Sequence, residues 1–168
     1  MKYAAMLCIC LSVAGAGVAA SARSRRRVET LEGIAAFFES MALSAGMFGG
    51  EIGALLAHCE NTVPAARAFP AALHEGLTRG EDIESAWKNA ALRWPEARLL
   101  RPEESALLAS FGSAFSNRSM EGFRENCGAY RARFAEMHRD ANEKNKKTGR
   151  LYAAFGSLFA ALLLIILL

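Results

Sequence analysis

Residues 119–168, SMEGFRENCGAYRARFAEMHRDANEKNKKTGRLYAAFGSLFAALLLIILL, decide the fold. Apolar side chains step by four and three through Phe123, Cys127, Tyr130, Phe134, Met137 and Ala141. That beat averages 3.5 residues, the period of a helix laid along partner helices. A basic collar follows at Lys144, Lys146, Lys147 and Arg150, and from Leu151 to Leu168 no charge interrupts the chain. The seven Leu, two Ile and two Phe of this last run contribute roughly −3 to −7 kcal/mol on an insertion scale. Its 18 residues are just enough to cross a bilayer core. The stretch predicts one helix that begins in water and ends in lipid, the last soluble helix being continuous with a C-terminal transmembrane helix.

At the other end, Tyr3–Ala20 is uncharged but weaker, with two Leu, one Ile and two Val among many Ala and Gly. Cleavage after Val18-Ala19-Ala20 would make it a signal peptide and the protein an exported one. Arg23, Arg25, Arg26 and Arg27 stand immediately behind it, against Lys2 and the amino terminus in front. Positive flanks stay on the cytoplasmic side, which favours a retained helix with a small-residue face around Gly15 and Gly17. Both collars place the middle of the chain in the cytoplasm. The organisation expected is an N-terminal transmembrane helix over 1–20, a cytoplasmic helical domain over 21–150 and a C-terminal transmembrane helix over 151–168.

The middle reads as helices throughout. Leu31, Ile34, Phe38, Met41 and Ala45 form a second heptad stripe over Arg27–Gly46, able to pack beside the long helix. Gly46, Gly49 and Gly50 end it, and a short helix follows over Glu51–His58 with Ile52, Leu55 and Leu56 inward. Pro64 and Pro70 suit linkers or helix first turns, with a helix over Ala71–Thr78 closed by Gly80. Asp82 is placed to cap Ile83–Leu92, where Ile83, Ala86, Trp87, Ala90 and Ala91 share a face before Trp94-Pro95 ends the helix. Pro102-Glu103-Glu104 opens a helix carried through Leu107, Leu108, Phe111 and Phe115, and Ser119 caps the long one. The fold class is all-α: an antiparallel bundle of about six helices flanked by the two membrane helices.

Little here suggests catalysis. The formal net charge of +3 is too mild for a nucleic-acid binder, and the basic clusters sit at the membrane edges, where they also face lipid headgroups. Cys8 and Cys10 lie in the apolar segment; Cys59 and Cys127 stand alone in sequence, with no CxxC and no zinc spacing. His58 adjoins Cys59, but adjacent helical residues point about 100° apart and do not converge on one ion. A metal- or thiol-dependent activity of His58, Cys59 and Cys127 is the rival reading. His74 is isolated, and His138 lies among Arg131, Arg133 and Arg139, a solvated face. Glu32 and Glu39, seven apart, fall ~10 Å from one another along a helix axis, better suited to partner contacts than to paired catalysis. No cofactor, nucleic acid or small-molecule substrate is expected.

The ordered features resemble the stage III sporulation protein AB family of endospore formers. They are the N-terminal apolar helix, RSRRR at 23–27, Glu39 in the first soluble helix, ESAWKNAAL around Trp87, FGSAF at 111–115, and the tail KKTGRLYAAFGSLFAALLLIILL with Tyr152 and Gly156. Ser116, Ser119, Phe123 and Ala160 depart from it, standing where a Gly, an Asp cap, a Gln and a second membrane Gly are usual. The Ser119 hydroxyl preserves a capping oxygen. The resemblance implies a non-enzymatic, multi-pass component of the channel between mother cell and forespore, in the outer forespore membrane. It implies a cytoplasmic domain like that of type II secretion and type IV pilus platform proteins, docking a secretion-type ATPase of the same operon beside other stage III sporulation membrane proteins. Glu32 and Glu39 are the expected docking residues, and Gly149 a candidate hinge just outside the bilayer.

Overall fold

The computed structural model describes the backbone of residues 2–47, 52–116 and 119–167, and the side chains of 19–47, 52–64, 66–115 and 119–147. Among these, all regular structure is helical: α1 Lys2–Ser44, α2 Ile52–Thr62, α3 Ala68–Thr78, α4 Ile83–Arg93, α5 Pro102–Ser110 and α6 Met120–Leu167. Short 3₁₀ turns over Pro64–Ala66, Pro95–Leu99 and Phe111–Ser116 join them. The chain divides into two compact units, one of residues 27–138 and one of 1–26 with 139–168. Among the described residues, no helix is long and apolar enough to cross a membrane. The apolar runs over 3–20 and 151–168, with Tyr152, Gly156, Gly149 and Arg150, lie almost wholly outside the residues whose side chains are described.

In the unit 27–138 the heptad stripe of α1 is the core. Leu31, Ile34, Phe38 and Met41 are buried, as is Ala45 just beyond the helix end. Phe37, outside that stripe, is buried as well, because α1 is packed on two sides. Phe38 stacks on Phe134 of α6 at 5.8 Å and meets Tyr130 at 5.6 Å. Phe37 turns the other way, edge-on to Phe69 of α3 at 5.5 Å and 6.1 Å from Trp87 of α4. Trp87 is the hub of this aromatic core, 4.9 Å from both Phe69 and Phe111. Its indole Nε1 donates to the Leu108 carbonyl at 2.7 Å, which fixes the ring and occupies a carbonyl in the last turn of α5.

The local signals act where chemistry demands. The Asp82 carboxylate accepts from the Ser85 backbone N–H at 3.0 Å and starts α4. Trp94, extended at φ −62° and ψ 153° ahead of Pro95, stops it. Gly80 takes φ +83°, the left-handed conformation that ends α3 cheaply only for glycine. Gly112 permits a close approach, since a Cβ there would stand 3.2 Å from the Glu84 carbonyl oxygen and 3.4 Å from the Trp87 Cβ. The Ser119 hydroxyl accepts from the Gly122 N–H at 3.3 Å at the head of α6.

Several boundaries differ from those the sequence suggests. RSRRR lies inside one helix running from Lys2 to Ser44, because arginine is a good helix former and neither Gly nor Pro interrupts it there. α2 continues to Thr62, whose hydroxyl back-bonds to the His58 carbonyl at 2.7 Å. α3 begins three residues before Ala71, with Pro70 inside its first turn, where a missing N–H costs nothing. α5 stops at Ser110, so Phe111 and Phe115 reach the core from a 3₁₀ turn and not from a longer helix.

Candidate functional site

The expected docking residues lie on a seam between α1 and α6. Glu39 meets the Arg131 guanidinium at 3.3 Å, and Glu32 lies 3.9 Å from the His138 Nε2. The two acids are seven apart on α1 and their counterparts seven apart on α6, which is the matched spacing of two antiparallel helices in register. Further along, Arg124 Nε donates to the Ala42 carbonyl at 3.2 Å. Glu32 and Glu39 keep 69% and 50% of their side-chain surface exposed, so both carboxylates remain reachable from solvent. Exposed pairs of this kind are worth about 0–1 kcal/mol, and a partner can displace them at little cost. His138 corrects the sequence expectation: it retains only 24% exposure and faces Glu32, instead of lying on a solvated arginine face.

Arg27, expected as a membrane-flanking charge, is engaged in an ion pair with Glu104. Its Nε donates to Glu104 Oε2 at 3.1 Å and its Nη2 to Oε1, a bidentate pair joining α1 to α5. Glu104 is 2% exposed and accepts a further bond from the Arg101 backbone N–H at 2.7 Å. A buried carboxylate needs such partners, because stripping its hydration uncompensated costs several kcal/mol. Arg23, Arg25 and Arg26 are exposed, as are Lys144, Lys146 and Lys147.

The thiols are placed against reactivity. Cys59 and Cys127, far apart in sequence, are both fully buried and unbridged. Burial pushes the Cys59 thiol above its usual range, partly offset by its bond to the Ser40 hydroxyl at 3.5 Å. Burial, reinforced by the neighbouring Cys59, pushes Cys127 up to about 12. Nucleophilic and metal-binding cysteines need the opposite, a stabilised thiolate. His58 lies on the half-buried side of α2 with Thr62 Oγ1 3.4 Å from its Nε2, and His74 is exposed. Among the described residues, no three His, Cys, Asp or Glu side chains are grouped to hold a metal ion.

What these features define is an α-helical bundle with an aromatic core around Trp87, a charged seam on its surface and inert buried thiols. The sequence profile of the stage III sporulation protein AB family matches residues 2–168, essentially the whole chain, and the protein belongs to that family. No curated protein and no solved structure matches it. The family places the protein in sporulation and is not a known enzyme family.

Proposed function

We propose that the protein is a non-enzymatic scaffold of the mother cell-to-forespore channel, held by its two apolar ends in the outer forespore membrane. Its bundle would dock a secretion-type ATPase on the cytoplasmic side. Membership of a sporulation family over the full chain is the observation that carries this reading. Two further features support it. Each apolar run carries its basic residues on the side next to the helical domain in sequence, the arrangement that retains a domain in the cytoplasm. The α1–α6 seam offers exposed carboxylates on well-packed helices, a surface suited to a partner and not to substrate turnover.

The seam is tested by capture of the secretion-type ATPase from the same operon with the full-length protein in detergent. Glu32→Ala with Glu39→Ala should abolish capture while leaving the melting temperature in place, since both pairs are solvent-screened. Undiminished capture would rule out this face. Cysteine-labelling of an exposed bundle position in intact cells tests the topology, and labelling by an impermeant reagent from outside would exclude an ATP-driven partner.

A further inference from the structure

The charge of this chain is divided between its two compact units. Residues 1–26 and 139–168, which form one unit, hold nine of the basic side chains and two of the acidic ones. Residues 27–138 hold eleven basic and fifteen acidic side chains. A formal total of +3 therefore hides one part at +7 and another at −4. The positive part joins two basic runs more than a hundred residues apart in sequence. Arg25, Lys144, Lys146 and Lys147 are exposed there, beside the equally exposed Arg23 and Arg26.

We propose that these two runs act together as one binding collar for anionic phospholipid headgroups. The proposal rests on the membrane-anchored reading above and extends it from topology to lipid selection. A topology signal needs only an excess of basic residues beside each span, and it does not need the two runs to belong to one unit. Convergence of both runs in one unit creates a concentrated field, and such a field draws acidic lipid out of a mixed bilayer. Each run abuts an apolar stretch in sequence, which sets the basic side chains at headgroup depth in any bilayer the stretches enter. Arginine adds directional contacts, because its fork of N–H donors matches two oxygens of one phosphate diester. Nucleic acid presents phosphates too, but the collar has no interleaved aromatic side chains on which bases stack.

The test uses the full-length protein reconstituted in vesicles of phosphatidylcholine with a minor share of phosphatidylglycerol. Spin-labelled versions of each lipid report which one is held at the protein surface. Phosphatidylglycerol should be enriched several-fold over phosphatidylcholine at low salt, and the enrichment should fall as the screening length shortens to about 3 Å in 1 M salt. The variant Arg25→Gln, Lys144→Gln, Lys146→Gln, Lys147→Gln keeps good helix formers at exposed positions and should retain its helical circular dichroism. Its enrichment should drop toward unity. Reconstituted protein showing no preference, or a variant retaining the full preference, overturns the collar while leaving membrane anchoring intact. Protein that cannot be incorporated and is extracted by carbonate overturns the anchoring itself. A duplex oligonucleotide that binds the reconstituted protein and abolishes the lipid preference at equal charge would reassign the collar to nucleic acid.

Discussion

Trp87 and Trp94 sit seven residues apart on the same side of α4 and its end, both buried, yet their indole N–H groups have opposite fates. Trp87 Nε1 donates to Leu108 at 2.7 Å, whereas Trp94 Nε1 has no hydrogen-bond partner among the described residues. Trp87→Phe should cost about 2–4 kcal/mol, from lost volume in the aromatic hub and loss of the indole donor to a buried carbonyl that keeps only the Phe111 N–H. Trp94→Phe removes a donor already unpaired and should lower the urea midpoint distinctly less. The Arg27–Glu104 pair makes a sharper test. Arg27→Met leaves a buried carboxylate without its counter-charge, holding only the Arg101 N–H, and should cost about 3–5 kcal/mol, while the double variant Arg27→Met with Glu104→Leu should recover much of that loss. The thiols set a pH dependence with a definite sign. Cys59 and Cys127 have folded pKa values above the unfolded one, so their contribution is complete below the ordinary thiol pKa of about 8.5. As pH rises from there toward about 12, the unfolded chain ionises first and stability falls. Denaturant midpoints measured from pH 8 to 10.5 should decline more steeply in the parent than in a Cys59→Ala, Cys127→Ala variant.

At the scale of elements, the glycines separate two kinds of helix surface. A Cβ added at Gly128 on α6 would meet nothing within 4 Å, so Gly128→Ala should stabilise by about 0.5–1 kcal/mol through helix propensity alone. Gly112 faces the backbone of α4 at 3.2 Å, and Gly112→Ala should destabilise by about 1–3 kcal/mol because backbone cannot yield as a side chain does. Thermal melts of the two variants should shift in opposite directions. The elements themselves were largely legible in the sequence, since their signals are local. The Leu31–Ala45 stripe, the Asp82 cap, the Trp94-Pro95 stop and the Phe123–Ala141 stripe depend on spacing and turn chemistry within a few residues. The contacts between elements left no such trace. Phe37 reads as the edge of a stripe until α3 and α4 cover it, and Arg27 reads as one more arginine of a basic flank until Glu104, 77 residues on, closes over it. Glu32 and Glu39 could be picked out as a pair by their separation, whereas the basic residues opposite them follow only from the antiparallel register of α1 and α6.

At the scale of the whole molecule, apolar burial and net charge are divided at nearly the same places along the chain. Among the described residues, every buried apolar side chain except Ala141 falls within 27–138, as do the buried Thr30, Ser40, Ser44 and Glu104. That segment carries the aromatic hub, both ends of the Arg27–Glu104 pair and the seam pairs out to His138. A segment of this size with one continuous core buries enough surface to fold cooperatively, and its net negative charge keeps copies apart in solution. The excised fragment 27–138 should therefore be helical and monomeric without detergent. It should unfold in a single transition, with near-ultraviolet circular dichroism of Trp87 and far-ultraviolet helix signal lost together. Removing residues 1–26 and 139–168 also removes the positive part of the chain, so the fragment should show no affinity for phosphatidylglycerol vesicles. A broad transition, or early loss of the tryptophan signal, would mean that the aromatic core depends on the end segments. A sharp transition would give a soluble fragment in which the α1–α6 seam can be probed for partner binding without lipid present.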